Sequence, residues 1–415
     1  MASNTYARGI QKIVTLSAAE SSFGVQGAGP GQQLRRTDLN LSLGVQEVQS
    51  REILSTAMLR DVRQGPRQGQ GQLMTQLSPG SYAALFEGML RGTRAIGVSA
   101  TATDSTLSIA SGTGVITYTS ATSSFLTDGF KAGDVVRLTG IIVATGVTST
   151  QAADMNGTNL RATGVTANSI TFAPNPLFSA WTGSQTSVTA TVVGKKLFTP
   201  ETGQVFRSFS IEEWYADVGI SDLWTGGVIA QAAINFPAQG YVTANFSLAA
   251  QNMVESNTQV YPTPSALTSS AGLTAVNGKV TYQGNDLLYI TGANLQIAVD
   301  TQPAVVAGSN VAADIFQGEI QVRGTFSALL TDDTLTTDFL NENVVSLALF
   351  GTTSPAQGAD FISFFMSNVK LFGGPKQDSP TAITRSFNFV ATENTAGGTG
   401  TQYDQTVICM QDSLA

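Results

Sequence analysis

Paired carboxylates are the side chains of this sequence whose types and spacing come nearest to a catalytic arrangement. Glu212 and Glu213 are adjacent, and two facing carboxylates can serve as general acid and general base. They lie in an alternating stretch that predicts a β-strand, and neighbours on a strand point to opposite faces. The spacing therefore does not produce a facing acid/base pair.

Two looser acidic groups have the residue types of a cation site. Asp128, Asp134 and Asp154 lack the tight Asp-x-Asp-x-Asp-Gly spacing of a calcium loop. A second group is explained by a solvated helix with an acidic first turn; its members are Asp332, Asp333, Asp338 and Glu342. Neither group predicts a metal site.

The chain contains no histidine, which removes the commonest general base and the commonest metal ligand. Ser-His-Asp and Cys-His nucleophile arrangements are thereby excluded. The sequence also lacks a P-loop and the G-x-S-x-G, C-x-x-C and H-E-x-x-H patterns. We therefore expect a protein that is not an enzyme and that uses no cofactor and no metal.

The composition is typical of a β-rich protein. The 415 residues include 42 glycines, one cysteine and only 12% charged residues. The net charge of −8 argues against bulk attraction to nucleic acid. Cys409 lies in an apolar run and is predicted to be a buried hydrophobic residue. Neither a secretory signal nor an apolar run of membrane-helix length is found, which predicts a product assembled in a cytoplasm, without membrane insertion.

The charges are distributed unevenly along the chain. Residues 1–95 hold ten Lys and Arg against six Asp and Glu, whereas residues 195–415 hold eight against nineteen. Chance variation on a solvated surface would explain this difference. A head-to-tail contact between a basic part of one subunit and an acidic part of another would explain it equally well.

A β-hairpin is predicted over residues 228–248, with a turn at 237–240. Alternation places Val228, Ala230, Ala232, Ile234 and Phe236 on one face and Ile229, Gln231, Ala233 and Asn235 on the other. In the second strand Val242, Ala244, Phe246 and Leu248 alternate with Tyr241, Thr243, Asn245 and Ser247. Because the polar face is uncharged and rich in Thr, Asn, Gln and Ser, we expect it to face something other than bulk water.

Three short patterns surround this hairpin: S-F-x-I-E at 208–212, T-G-G at 225–227 and P-A-x-G-x-V-T-x-x-F-S at 237–247. The segment that contains them resembles the tail tube proteins of long, non-contractile-tailed bacteriophages. The flanks, residues 35–95 and 260–410, match that family only in the order of their elements. The resemblance implies a mainly β fold, a tail-tube-type β-sandwich or barrel with a flanking α-helix.

The resemblance also implies a function. Six copies would close a hexameric ring, and stacked rings would form the tail tube through which DNA is ejected into the host. The main partner is then the protein itself, with the tape measure protein and the tail terminator and distal tail proteins as further partners. The protein would belong to the virion tail and be assembled in the host cytoplasm.

A tube that lets DNA slide needs an inner wall that is polar but not basic, because each phosphate contact adds affinity. The residues of the predicted hairpin that fit such a lumen-facing wall are Gln231, Asn235, Thr243, Asn245 and Ser247. An intersubunit or outer position for these five residues stays open.

Residues 1–95 are predicted to hold an N-terminal arm, a loop and the first part of the tube domain. We expect an extended arm or loop over 1–34 and a strand over 38–45. Over 46–76 we expect a long, mobile, basic loop that leads into a strand at 71–77, because Gly and Pro interrupt a helix there. In tail tube families a loop in this region reaches the neighbouring ring. The resemblance assigns that role to Arg51, Arg60, Arg63 and Arg67.

Residues 78–92 form the best predicted helix, with Ser78 as cap, Pro79 in the first turn and Gly92 at the end. One apolar stripe is predicted to pack on the sheet; it consists of Tyr82, Leu85, Phe86, Met89 and Leu90.

Residues 96–193 are predicted to be an inserted, outward-facing small all-β domain, because Thr, Ser and Gly dominate there and turn signals separate short strands. Those strands are expected near 105–110, 115–119, 134–139, 159–165, 169–172 and 187–193.

Residues 194–415 are the remainder of the tube domain. After a loop-like stretch at 254–286, strands are expected at 293–299, 318–329, 344–350, 361–371, 383–391 and 404–410. A short helix at 331–342 would be capped by Thr331 and packed down by Phe339 and Leu340.

A hypothesis from a different class also stays open. A distal-tail or fibre protein could bind a host-surface glycan, with Trp181 and Tyr118 supplying an aromatic platform.

Overall fold

The computed structural model describes residues 6–414 except 54, 56–57, 112, 114, 145, 175–179 and 379–381. Within this part of the chain the strands form two sheets, one of eighteen strands and one of eight. Helices are short and few, and none of those described is both long and apolar enough to cross a membrane. The predicted mainly β fold is confirmed.

The N-terminal segments belong to the larger sheet. After a 3₁₀ turn at Gly9–Gln11, the strands are β1 (Lys12–Ala19), β2 (Gln32–Gln33), β3 (Asp38–Gln49), β4 (Val62–Gln76) and β5 (Ala95–Ile96). The extended arm or loop predicted over 1–34 is wrong for β1, which pairs antiparallel with residues 209–215. This pairing buries Val14 and Leu16 in the core.

The long loop predicted over 46–76 is a two-stranded ribbon instead. β3 and β4 pair from Asp38–Met74 out to Gln49–Val62, which leaves only residues 50–61 as the connection. Glycine and proline do exclude a helix here, but a two-stranded ribbon accepts them. Pro66 lies at the register shift that follows the Val45–Arg67 pair, where a missing N–H interrupts no regular ladder.

The first helix, α1 (Ala83–Leu90), is shorter than predicted. Ser78 does not cap it, because the chain turns at Gly80, whose φ is 74°, before the helix begins. Arg91 rather than Gly92 takes the left-handed conformation that ends it, with a φ of 55°. The predicted apolar stripe is confirmed, since Tyr82, Leu85, Phe86, Met89 and Leu90 are all buried.

The smaller sheet is built only from strands between residues 99 and 192. They are β6 (Ser99–Ala102), β7 (Ser105–Ile109), β8 (Ile116–Ser120), β9 (Val135–Thr139), β10 (Leu160–Val165), β11 (Ser169–Phe172), β12 (Trp181–Gln185) and β13 (Val188–Val192). Two short helices, α2 (Phe125–Asp128) and α3 (Ser149–Met155), accompany them. All six predicted strands are present, and the sheet has its own hydrophobic cluster. An inserted, outward-facing domain bounded at 96 and 193 stays a prediction.

The chain then returns to the larger sheet. The next strands are β14 (Lys195–Phe198), β15 (Phe209–Tyr215), β16 (Ile220–Phe236), β17 (Thr243–Ala250), β18 (Asn252–Ser256), β19 (Gly278–Tyr282) and β20 (Asn285–Asp286), with a 3₁₀ turn at Ala275–Asn277. The loop predicted over 254–286 is therefore wrong where β18, β19 and β20 lie. The long β16 pairs with β15 and β18 along its first half and with β17 along its second.

The C-terminal part repeats the pattern of long strands. Its elements are β21 (Ile290–Pro303), β22 (Ile315–Leu329), α4 (Thr334–Leu340), β23 (Val344–Thr352), β24 (Phe361–Asp378), β25 (Ile383–Ala391) and β26 (Cys409–Asp412). The last strand thus lies beyond most of the predicted 404–410. Thr331 does not cap α4, since the N–H of Thr334 bonds to Asp332 Oδ1 at 3.0 Å. Phe339 packs on the core as predicted, but Leu340 is 69% exposed.

Aromatic side chains on α1 join the two halves of the larger sheet. The ring of Phe86 lies 5.3 Å from that of Phe246 on β17 and 5.8 Å from that of Phe364 on β24. The helix therefore fills the space between sheet layers, as expected for a sandwich with a flanking helix. Cys409 is buried and free, as predicted, and burial raises the pKa of its thiol.

Candidate functional site

A polar face runs across consecutive strands of the larger sheet, in the order β4, β17, β16 and β21. Cross-strand register brings the outward side chains into rows. One row is Gln72, Ser247 and Gln231; another is Gln76, Thr243, Asn235 and Asn294. The five residues singled out in the hairpin, Gln231, Asn235, Thr243, Asn245 and Ser247, thus lie on one face.

The opposite face of the hairpin is core from Ala232 onward, as predicted. Before that point the predicted faces are wrong, because a register shift between Ile229 and Gln231 inverts the alternation. Ile229 is buried in the main core, whereas Val228 lies in a separate small cluster with Ile315. The bulge therefore ends the polar face at Gln231.

Neutral hydrogen-bonding groups make up most of this face. Asn245 Nδ2 donates to Gln72 Oε1 at 3.0 Å, and Asn245 Oδ1 has no hydrogen-bond partner among the described residues. Asn235 and Thr243 are exposed, whereas Gln231, Asn245 and Ser247 are half-buried. Amides and hydroxyls hydrate well but carry no fixed charge, so the face offers a wet, neutral surface.

The face is wider than the hairpin alone indicated. Six further amide or hydroxyl side chains extend it across neighbouring strands: Gln72, Gln76, Asn294, Gln296, Thr325 and Asn388. The alternation already visible at 293–299 and 318–329 was the signal for those on β21 and β22. Charges on this surface are sparse, with Arg323 and Asp38 as exposed examples.

The basic residues predicted to reach a neighbouring ring separate into two groups. Arg51, Arg60 and Arg63 are exposed at the end of the β3–β4 ribbon, where Arg63 Nε lies 2.7 Å from Asp61 Oδ2. Arg67 is half-buried further down the ribbon, where its backbone N–H donates to the carbonyl of Asn310 at 2.7 Å. The structure therefore brings three of the four together.

The adjacent glutamates lie on opposite faces of β15, as predicted, and both are buried. Glu212 accepts hydrogen bonds from the backbone N–H groups of Val260 and Tyr261 at 2.6 and 3.0 Å. Glu213 pairs with Lys12, and burial raises the pKa of its carboxyl. These contacts occupy the two carboxylates in holding neighbouring segments.

The other acidic groups do not converge on a cation site. Within the described ranges no cluster of three or more His, Cys, Asp or Glu residues has the geometry to hold a metal ion. Asp134 instead forms an ion pair with Lys196, and Asp338 accepts a hydrogen bond from Asn343 Nδ2 at 2.8 Å.

The aromatic platform expected for glycan binding is wrong. Tyr118 is fully buried and donates a hydrogen bond to the carbonyl of Val188 at 3.0 Å. Burial raises its pKa to about 12. Trp181 is only 8% exposed and belongs to the core of the smaller sheet. Neither ring can stack on a sugar, because both faces are covered by protein.

Polar contacts join the smaller sheet to the larger one. The side-chain amide of Gln411, on β26, accepts a hydrogen bond from the N–H of Val135 at 2.7 Å and donates to the carbonyl of Val135 at 2.9 Å. It also donates to the carbonyl of Val193 at 2.7 Å. Arg161 forms a two-pronged ion pair with Asp286. The two sheets are thus connected by directional bonds rather than by apolar packing alone.

A family model described as phage tail tube protein matches residues 172–391, more than half of the chain. The matched range includes β16, β17, β21 and β22, which carry most of the polar face. No curated protein matches the chain.

Proposed function

The chain belongs to the phage tail tube protein family, and we propose that it builds the tube of a phage tail by forming rings that stack. The family is one of structural virion components, so the role is mechanical rather than catalytic. The proposal adds ring closure, stacking and passage of DNA, with assembly in the host cytoplasm.

The polar sheet face is the observation that carries this proposal. We assign it to the inner wall, with Gln231, Asn235, Thr243, Asn245 and Ser247 facing the lumen. A cationic wall would bind the phosphates and retain DNA, whereas amide and hydroxyl groups stay hydrated and have little affinity for DNA. A neutral, wet wall supports fast passage in either direction.

A free sheet edge supports ring closure, since β3 pairs with β4 alone among the described residues. An exposed edge strand invites pairing with another chain, and closure into a barrel removes such edges. In the family that the chain resembles, six copies close a hexameric ring. Pairing between copies would make the polar face continuous around the bore.

Stacking is assigned to the end of the β3–β4 ribbon. Besides Arg51, Arg60 and Arg63, this end exposes Ile53 and Met58, the latter by 69%. A mixed cationic and apolar tip is suited to a protein contact. Its receiving surface would be an acidic part of 195–415 in the next ring, which fits the uneven charge along the chain.

Further contacts are proposed from the family resemblance. The tape measure protein would occupy the lumen, and the tail terminator and distal tail proteins would contact the two ends of the tube. The smaller sheet would project outward, where an insertion disturbs neither ring closure nor the bore. The glycan-binding alternative is not favoured, because its two aromatic residues are buried.

Imaging of the purified protein tests the proposal. We expect tubes or rings in negative stain, and sedimentation that rises with protein concentration. A protein that stays monomeric at high concentration, or that turns over a substrate, would overturn it.

A further inference from the structure

The larger sheet contains the same set of elements twice. The first set is β3, β4, α1, β15, β16 and β17, and the second is β21, β22, α4, β23, β24 and β25. In each set a long hairpin leads to a helix and then to three more strands, which in the first set come only after β5, the smaller sheet and β14. The strands also pair in the same order, β3-β4-β17-β16 in the first and β21-β22-β25-β24 in the second.

The two sets agree in register as well as in order. One buried row of the first set runs across Leu39, Leu73, Phe246 and Ala232. Its counterpart in the second set runs across Leu295, Gly324, Phe389 and Leu371. Helix α1 begins as many residues after Leu73 as helix α4 begins after Gly324. The pair Asn-Phe also occurs at equivalent positions, 245–246 and 388–389.

The chain itself shows how one set joins the next. In the pairing order, β16 is the edge strand of the first set and β21 is the edge strand of the second. These two strands pair antiparallel with each other. Ala232 lies opposite Ile297 and Ala233 opposite Gln296 in this join. The join buries the core-facing residues of β21 almost completely, with Ile297 at 0% and Val299 at 4% exposure.

The corresponding edges at the two ends of the double set are open. Among the described residues, β3 has β4 as its only strand partner, and its core-facing Leu41 and Leu43 are only half-buried. At the other end, the part of β24 beyond Lys370 pairs with β25 alone within the described ranges, and Phe372 there is 48% exposed. The open edge of β3 is equivalent to the edge of β21 that pairs with β16, and the open edge of β24 is equivalent to the edge of β16 that pairs with β21.

We propose that the chain contains two fused copies of one tube unit, and that β24 of one chain pairs with β3 of the next in the register of the internal join. Leu371 would then lie opposite Leu41 of the next copy, and Phe372 opposite its Asn40. This inference rests on the ring-forming function proposed above. It changes the number of chains: a ring of six tube units takes three chains, not six.

Barrel geometry supports the smaller number. Each chain supplies eight strands to the wall, so three chains supply 24. With a spacing of about 4.8 Å and a tilt of about 40°, such a barrel has a radius of about 24 Å. Six chains would double the radius and leave a bore far wider than one DNA duplex needs.

Engineered cysteine pairs test the proposed register. Facing residues of antiparallel strands have Cα atoms about 4.5–5.5 Å apart, which a disulfide can bridge. The test chain carries Asn40→Cys with Phe372→Cys. A chain with Ser42→Cys and Phe372→Cys is the matched control, because this pair is displaced along the strand to about 7–8 Å. Ala233→Cys with Gln296→Cys is the positive control, since the structure already pairs these positions within one chain.

We expect mild oxidation of assembled protein to give a covalent species of three chains with the 40/372 pair and little product with the 42/372 pair. Native mass measurement of unmodified rings, which needs no variant, should give three chains. Rings or tubes with six chains, or without the 40/372 cross-link, would overturn the duplication-based ring and leave the tube function intact. Absence of any assembly would overturn both proposals.

Discussion

Lys196 Nζ lies 2.6 Å from Asp134 Oδ1, and this ion pair joins the two sheets of the protein. Lys196 is on β14 of the larger sheet, and Asp134 immediately precedes β9 of the smaller one. Asp404 lies on the other side of the ammonium group at 3.0 Å. Burial disfavours the charge on Lys196, but the attraction of Asp134 outweighs it and raises the pKa of Lys196. Burial also raises the pKa of Asp134, against the attraction of Lys196, which favours the charged carboxylate.

Replacing Lys196 by methionine should destabilise the protein strongly. Lys196→Met leaves the carboxylate of Asp134 buried without a counterion, and breaking a buried pair in this way costs about 3–5 kcal/mol. Urea unfolding measures the loss, with Lys195→Met, on the same strand, as the control that should change stability little. A second change, Asp134→Leu, should restore much of what Lys196→Met loses; no restoration would contradict the assigned pairing.

Acid should weaken the link between Arg161 and Asp286. Burial alone would raise the pKa of Asp286, but its hydrogen bonds with Arg161 and the charge of Arg161 outweigh this and lower the pKa. A carboxyl with a lowered folded-state pKa contributes stability above its unfolded pKa of about 3.9, and that stability is lost as the pH falls through the folded value.

Comparing urea midpoints at pH 7 and pH 3 checks this. At pH 7 the wild-type protein should unfold at a higher urea concentration than Asp286→Asn. This difference in urea midpoint should become smaller at pH 3. An equal difference in urea midpoint at both pH values would show that the charge of the ion pair contributes nothing to stability.

A cation on the polar face should make the tube retain DNA. Gln231→Arg adds a phosphate-binding group at every copy around the proposed bore, and each phosphate contact adds salt-dependent affinity. Co-sedimentation of short linear duplex DNA with purified tubes measures retention, which should rise at low salt and fall steeply with added salt. Thr106→Arg on the smaller sheet is the control with equal charge. Equal retention by the two variants would argue against an inner position for Gln231.

Removing the positive charges at the ribbon end should separate ring formation from stacking. The triple change of Arg51, Arg60 and Arg63 to glutamine leaves the core untouched, because all three side chains are exposed. We expect single rings with few tubes in electron micrographs. The control is Arg323→Gln, which removes a charge from the polar face and should leave tube length unchanged. Long tubes from the triple variant would place stacking elsewhere.

Much of the fold could be predicted because its local signals agree with its long-range pairing. Alternation at 243–248, 293–299 and 318–329 identified strands whose inward residues are indeed core, for example Phe246 at 0% exposure. The stripe of α1 was equally readable, since a helix buried on a sheet needs apolar residues at helical spacing. The five polar residues of the hairpin were placed on one face by the same alternation.

Other features depend on contacts that a sequence pattern does not encode. The bulge at Ala230 inverts the faces of Val228 and Ile229, and nothing in the alternation marks it. The glycines and proline between 65 and 72 suggested a loop, but pairing with β3 makes this stretch a strand. The repeat of two tube units was not evident either, because it lies far more in strand order and register than in recurring residues.

A cryo-electron microscopy map of the assembled protein would show where the polar face lies. We expect a hollow tube whose inner wall is a continuous antiparallel barrel, with Gln231, Asn235, Thr243, Asn245 and Ser247 pointing into the bore. A tube in which these five side chains face outward or lie between subunits, or a particle with no bore, would contradict this expectation.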